Sequence, residues 1–468
     1  AIERTPPMND TRPTEPRLAQ ALEKMRAAGA DDAARTVFAH YYRLAATGET
    51  GLIPEETISP LTDVERLADV DVDETQAHDA LAQTVMIKLN GGLGTSMGLD
   101  RAKTLLPVRD GQTFLDLIVA QVRHARERYD VRLPLLFMNS FRTRADTLTH
   151  LERYPDLAAD GLPVDFLQSA EPKIRVDGLV PVTWPADPTL EWCPPGHGEV
   201  YTRLASSGVL DALLERGYRY LTIANGDNLG AAPDPRLAGW FAATDAPYAA
   251  EVCLRTANDR KGGHLAVRRS DGQLILRDTA QTPADQMHYF TDEHRHRYFH
   301  CNNLWLDLQR LHDRLSQSGP VLGLPLIRNE KTVDPTDPTS PRTLQLETAM
   351  GAAIEVFPGA RAIVVERGRF LPVKTTNELM LLRSDVFTLA EDARLVTDLP
   401  KLPGIDLDPR HYKTINQFDE RVQIVPSLRD ARSLRVRGDW TFSHPVHVTG
   451  DATLEDNGQQ QSVPPDLH

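Results

Sequence analysis

Thr84-Val-Met-Ile-Lys-Leu-Asn-Gly-Gly-Leu-Gly-Thr-Ser-Met-Gly98 passes from an apolar run directly into a loop with four glycines in eight residues. The run Thr84–Leu89 predicts a buried strand. Gly91, Gly92, Gly94 and Gly98 free the following backbone of Cβ atoms, so it can take positive φ and approach a ligand closely. At the carboxyl end of a strand such a loop aligns N–H donors for a phosphate or the edge of a base. No Gly-Lys-Ser/Thr follows, which excludes a Walker A loop, and Gly98 falls one residue too late for the dinucleotide fingerprint. Glycine content alone leaves a tight structural turn and an anion cradle both open. Lys103, a cation a short distance beyond, favours the cradle.

Outward from this loop, short apolar runs alternate with amphipathic stretches. Helices are expected over 113–128, 142–153 and 200–216, and strands over 133–138, 164–167 and 220–224. Strands separated by helices imply right-handed βαβ units and an α/β fold with a doubly wound, mixed but mostly parallel sheet. Ligands of such sheets bind beyond the strands' carboxyl ends, which singles out the loops after Leu89 and Ala224. Residues 1–14 are polar and Pro-rich, an expected frayed end, and Arg17–Thr47 has helical spacing. Beyond about residue 385 the helical period fades. Val436, Phe442, Val448 and Leu454 recur every six residues, and V-x-G-D-x-T occurs at Val436–Thr441 and Val448–Thr453. One inward apolar residue per hexad suggests a short left-handed β-helix, with a plain meander as the alternative. The expected parts are an N-terminal helical segment (1–80), a catalytic domain (81–385) and a C-terminal domain with the β-helix (386–468).

Bulk composition narrows the function. Hydrophobic residues make up 41% and charged residues 25%, and 52 Lys and Arg against 66 Asp and Glu give a net charge of −14. That balance predicts a soluble protein with no basic surface for nucleic acid, and no apolar run suggests a membrane span. Cys193, Cys253 and Cys301 form no C-x-x-C pair. Reduced thiols and a cytoplasmic setting are expected. His288, His294, His296 and His300 are read as a solvated loop rather than a metal site.

Ile87–Leu117, IKLNGGLGTSMGLDRAKTLLPVRDGQTFLDL, resembles the signature loop of the eukaryotic-type UDP-glucose pyrophosphorylases. Thr95, Ser96 and Met97 depart from the GGxGxRLG of related enzymes for other UDP-sugars, which favours the glucose branch. Further segments match the same family in the same order: FLQSAEPKI with Gln168, Pro194–Gly198 (PPGHG), Ala224–Gly230 (ANGDNLG), Cys301–Trp305 (CNNLW), Gln345–Gly351 (QLETAMG) and Arg369–Thr376. The resemblance implies a nucleotidyltransferase with the Rossmann-like sheet. It assigns Leu89, Gly91, Gly92, Gln168 and Gly196 to the uridine nucleotide, and His197, Asn225, Gly226, Asn302, Asn303 and Glu347 to the sugar side. Lys103 and Lys374 are the implied catalytic cations, and Asp227 the implied catalytic ligand of Mg²⁺. Two positions depart from the family pattern: His300 replaces an Asn, and Asp278 a Glu.

The activity so implied joins UTP to a hexose 1-phosphate by in-line attack at the α-phosphate. A sugar phosphate oxygen is already anionic, so positioning and charge neutralisation, rather than a general base, carry such a reaction. The expected partners are small-molecule substrates (UTP, hexose 1-phosphate, UDP-sugar, pyrophosphate). The short hexad run predicts a monomer or small homo-oligomer.

Overall fold

The computed structural model describes residues 14–468; the expected frayed end, residues 1–14, lies almost wholly outside the described residues. An eleven-stranded mixed sheet forms the centre. Its main path runs Glu65–Arg66, Arg361–Val364, Tyr248–Leu254, Tyr298–Asp307, Tyr220–Asn225, Thr84–Asn90, Leu135–Asn139, Asp165–Leu167. Every neighbouring pair on that path is parallel except the two made by Tyr298–Asp307. Ile58–Pro60, His264–Arg268 and Leu274–Arg277 extend the sheet off this path in antiparallel register. The sheet is therefore mixed and mostly parallel, as its βαβ sequence pattern predicts.

Alternate residues of the central strands feed two separate cores. Val85, Ile87, Leu136 and Met138 face one, with helices Val200–Ser206, Val209–Glu215 and Leu308–Ser318. Met86, Leu135 and Phe137 face the other, with helix Phe114–Tyr129. That helix starts at a capping box in which Thr113 and Asp116 satisfy each other's backbone N–H groups, and it ends on Asp130 in the left-handed region. The single helix expected over 200–216 is broken, because Gly208 takes φ 82 between the two shorter helices. The strand expected from Leu133 begins at Leu135 instead, after Leu133 (φ 40) and Pro134.

Helices Thr14–Ala27 and Asp32–Ala46 pack together over Ile174, Leu344 and Leu346. The Tyr41 and Tyr42 hydroxyls donate to the carbonyls of Leu324 and Leu179, tying this pair to the main body.

At the other end Gly404–Leu407, Ser427–Val436, His447–Leu454 and Asp466–Leu467 stack as a parallel ladder. A second short parallel pair joins Trp440–Thr441 to Gln461–Ser462. Val436 lies opposite Leu454, an offset of 454 − 436 = 18 residues, or three hexads per layer. The hexad residues Val436, Phe442, Val448 and Leu454 are all buried and belong to the same apolar cluster as Met86 and Phe137. A meander would have paired these strands antiparallel.

All three cysteines are free and buried. Among the described residues no helix is long and apolar enough to cross a membrane.

Candidate functional site

Thr84–Asn90, Leu135–Asn139, Asp165–Leu167 and Tyr220–Asn225 are parallel, so their carboxyl ends open along one edge of the sheet. Gly91, Ser140, Gln168 and Asp227 follow those ends and form the floor of the site.

The first grouping is built from backbone and one amide. Gln168 is buried, and its Nε2 donates to the Gly196 carbonyl at 3.0 Å. A Cβ on Gly91 would lie 2.7 Å from Gln168 Oε1, so the amide sits directly against the glycine backbone. Ser140 Oγ donates to the Gly91 carbonyl at 2.8 Å. Gly196 takes φ 82, and a Cβ there would come within 2.3 Å of the Thr348 carbonyl oxygen. Glycine is thus required where Pro195–Gly198 pairs with Thr348, whose N–H donates to Pro195 and whose carbonyl accepts from Gly198. Glu347 lies beside Gly196 and accepts from Asn329 Nδ2 at 3.4 Å. Burial pushes its carboxyl above the ordinary range. Behind this loop, burial lifts the Glu199 carboxyl to about 7 against the bonds it accepts from the Ser169 N–H and hydroxyl.

His197 accepts from the Met350 N–H at its Nδ1, 2.8 Å away, and burial lowers its pKa to about 4. The neutral ring therefore carries its proton on Nε2, as a donor. His300 repeats the arrangement: its Nδ1 accepts from the Asn302 N–H at 2.7 Å, and burial, with His197 nearby, brings it to about 4. Asn302 reaches that bond through φ 57, in an irregularity where Cys301–Asn303 faces the single residue Glu251 of the next strand. His296 is fully buried as well, its Nε2 2.8 Å from Glu55 Oε1. The expected solvated histidine loop is thus corrected for His296 and His300, while His288 and His294 are exposed. Neighbouring chain, not loop sequence, decides this: Glu55 and Gly351 cover those two rings.

The second grouping brings the two charged candidates into contact. Lys103 Nζ lies 2.7 Å from Asp227 Oδ2, each side chain about one-fifth exposed. Backbone bonds set that meeting. The Lys103 N–H donates to Gly92, and the Gly226 N–H donates to Leu89 at 2.9 Å. A Cβ on Gly226 would lie 2.9 Å from the Leu89 oxygen and 2.8 Å from Thr104 Cγ2. Asn225 begins the turn, its carbonyl accepting from the Asn228 N–H.

Beneath the turn lies a buried polar network that the sequence reading missed. Asn228 Nδ2 donates to Asn303 Oδ1 and to the Arg369 carbonyl, and its Oδ1 accepts from the N–H groups of Gly230 and Leu371. Asn303 Nδ2 donates to Glu251 and to the Arg369 carbonyl, so its amide is engaged within the protein. Glu251, fully buried, also accepts from Trp305 Nε1 at 3.0 Å and from Arg369 Nε and Nη2 at 2.6 and 3.1 Å. Burial raises the Glu251 carboxyl, but the Arg369 guanidinium more than offsets it and holds it below the ordinary value. Lys88, buried beside them, is brought down to about 7, first by burial and then by Arg369. The usable signal was Glu251 itself, an acid inside the apolar run Tyr248–Leu254, since a charge in a buried strand demands a partner.

Asn228 bridges to Pro372, which fixes the segment carrying Lys374 to the Asp227 turn. Lys374 is exposed, and its charge acts on Asp278, whose carboxyl is nevertheless raised by burial. Among the described residues no group of three or more His, Cys, Asp or Glu side chains converges as a ready-made metal site. A single accessible carboxylate, Asp227, suits Mg²⁺ that takes its remaining ligands from nucleotide phosphates and water.

A family model described as UTP–glucose-1-phosphate uridylyltransferase matches residues 35–449. The enzyme of that name from Solanum tuberosum is 37% identical over 395 residues, covering 83% of this chain and 80% of its own. Its counterpart from Saccharomyces cerevisiae is 38% identical over 379 residues, covering 80% and 74%. The crystal structure of a UDP-glucose phosphorylase from Trypanosoma brucei is similar with a TM-score of 0.88 and 42% identity, over 96% of this chain and 97% of that one. A variant of the Leishmania major UDP-glucose pyrophosphorylase in complex with UDP-glucose gives 0.89 and 42%, with the same coverage. With nearly nine-tenths of its length inside the family model and a matching sheet beneath the site, the chain belongs to the UTP–glucose-1-phosphate uridylyltransferase family.

Proposed function

We propose that the protein transfers the uridylyl group of UTP to glucose 1-phosphate, releasing pyrophosphate in a reversible reaction. The observation that carries this reading is a glycine-and-amide base site, Gly91–Gln168–Gly196, set beside the Lys103–Asp227 pair in a chain of this family.

Gln168 offers a donor and an acceptor to the uracil edge, with Leu89, Gly91, Gly92 and Gly196 lending backbone. His197, Asn225, Gly226, Asn302, Asn303 and Glu347 serve the sugar side, Asn303 by bracing the Asp227 turn from below. Lys103 binds the UTP phosphates, and Lys374 neutralises the two phosphates that approach each other. The glucose 1-phosphate oxygen attacks the α-phosphorus in line, without a general base, and pyrophosphate leaves on the side of Lys103. Asp227 holds the Mg²⁺, which when bound supplies Lewis-acid charge neutralisation on the nucleotide phosphates. The hydrogen bond from Met350 keeps the His197 donor aimed and neutral. The C-terminal ladder is a short left-handed β-helix, 386–468, behind a catalytic domain of 81–385 and an N-terminal segment of 1–80. The protein acts in the cytoplasm as a monomer or small homo-oligomer.

Steady-state pyrophosphate release from UTP with glucose, galactose and N-acetylglucosamine 1-phosphates tests this. Glucose 1-phosphate should be preferred by kcat/KM. No release with any of them would refute the activity, and a flat profile would replace glucose with a broad hexose range.

A further inference from the structure

Lys88 is fully buried in the central strand Thr84–Asn90. Its ammonium has three N–H groups to give. Among the described residues it finds one hydrogen-bond partner, the Ala231 carbonyl at 2.7 Å. Burying an ammonium so sparsely satisfied costs stability. Charge balance does not explain it either, because Glu251, the acid of this network, already holds Arg369 by two bonds at 2.6 and 3.1 Å. The explanation lies in where the one bond lands.

Ala231 closes the turn that carries Asp227. The chain enters that turn from Ala224, which lies opposite Lys88 in the parallel register of the two strands. On the entry limb the Gly226 N–H donates to the Leu89 carbonyl at 2.9 Å, and on the exit limb Lys88 takes the Ala231 carbonyl. Both limbs are therefore tied to consecutive residues of one strand, and that strand runs on into the glycine loop at Gly91. Gln121 and Arg369 also donate to the exit limb, at Leu229 and Ala232, but from other segments of the chain. Lys88 ties the turn to the strand of the nucleotide loop itself.

Resting on the assignment of Asp227 to the metal, we propose that Lys88 is a positioning residue for the uridylyl transfer: its ammonium and the Leu89 carbonyl clamp the two limbs of the Asp227 turn to the strand that launches the glycine loop, and so set where that carboxylate stands relative to the nucleotide. Lys88 touches no reacting atom. It lowers the stability of the fold and raises the precision of the turn above it, so its removal separates the two. Methionine fills a similar unbranched volume without a charge, which leaves the Glu251–Arg369 pair intact and the fold as stable or more so. The turn then loses one of its two ties to the strand. A reacting group displaced by about 1 Å costs on the order of 10²-fold in rate.

The test uses the full chain carrying Lys88→Met, with Lys88→Leu as a second neutral variant should the first fail to melt cooperatively. By differential scanning calorimetry the variant should melt at or above the wild-type midpoint. Its kcat/KM should nevertheless fall by about tenfold or more. Isothermal titration calorimetry of UTP, once with Mg²⁺ and once with EDTA, supplies a readout apart from turnover. Affinity in EDTA should match wild type, while the gain on adding Mg²⁺ should shrink by about threefold or more, as for one lost hydrogen bond. A kcat/KM within about twofold of wild type in a folded variant overturns the proposal. So does a midpoint lowered by more than about 2 °C in both variants, or failure of both to melt cooperatively, since Lys88 would then be holding the fold. Failure of the underlying assignment reads differently: Asp227→Asn would then keep the full wild-type gain on adding Mg²⁺, whatever Lys88 does.

Discussion

Glu251→Gln should lower the stability of this protein more than its volume-neutral change suggests. The carboxylate is 0% exposed and receives four donors, two from Arg369 and one each from Trp305 and Asn303. An amide keeps one acceptor oxygen and turns the other position into a donor facing donors. It also leaves the buried Arg369 charge without its main partner. Breaking a buried pair from one side costs about 3–5 kcal/mol. Asp234, 3.8 Å from Arg369 Nη1, compensates in part and places the expectation near the lower end. About 3 kcal/mol corresponds to a melting midpoint lowered by about 3 °C for a chain of 468 residues, whose unfolding entropy is about 1 kcal/mol/K. Differential scanning calorimetry gives the midpoint, and kcat/KM for glucose 1-phosphate should fall too, because Asn303 loses its support. Glu251→Met/Arg369→Met should recover much of the lost stability, since two apolar side chains leave no uncompensated charge. A Glu251→Gln midpoint within about 1 °C of wild type would refute the view that this network braces the site.

Gly196→Ala should raise KM for UTP and destabilise the fold by about 2 kcal/mol or more, because a side chain at φ 82 strains the backbone and a Cβ would strike the Thr348 carbonyl at 2.3 Å. Unchanged kinetics and melting would disprove that fit. Lys374→Ala should lower kcat by on the order of 10²-fold with little change in KM for UTP, as expected for a cation acting mainly on the transition state; near-normal turnover would make it a surface residue. UTP should stabilise the protein against heat and ATP should not, because the Gln168 amide offers the paired donor and acceptor that a uracil edge requires; an equal shift with ATP would sink the uracil assignment. Glu199 is raised by burial to about 7, so the folded protein holds a proton there that the unfolded chain releases near 4.5. Its contribution is fully present below about pH 4.5 and is lost as pH rises to about 7, amounting to about 3 kcal/mol. Glu199→Gln should flatten that part of the urea-measured stability profile, and an unaltered slope between pH 5 and 7 would rule the assignment out.

The sheet was legible because Thr84–Leu89 and Tyr220–Ala224 are short, nearly continuous apolar runs of the kind that strands buried on both faces require, and the loops after them carry glycine where close approach requires it. The meeting of Lys103 with Asp227 was only half legible. Each was visible at a strand end, but the contact depends on Gly226 packing against Leu89, a tertiary fact. The hexads of the C-terminal segment showed a repeat, while parallel stacking needed the pairing of Val436 with Leu454. Glu251, Arg369 and Asn228 were missed for one physical reason. A charge or amide at a strand or loop position reads as solvated unless its partner is known, and those partners lie on separate segments, up to 143 residues away for Asn228 and Leu371. His296 and His300 were misread likewise, their burial coming from segments far along the chain.

The Asn228 amide uses all four of its hydrogen-bonding capacities, two as donor and two as acceptor, on Asn303, Arg369, Gly230 and Leu371. No other side chain has that valence in that shape. Asp lacks both donors, Leu lacks everything, and Gln carries its head one methylene too far. The position therefore has an alphabet of one letter, although it touches none of the atoms that react. It also works as a mechanical joint, because the Asp227 turn, the Asn303 strand and the Lys374-bearing segment share a single pivot. No one of the three can shift without breaking a hydrogen bond to that amide, so their relative placement is held by one side chain.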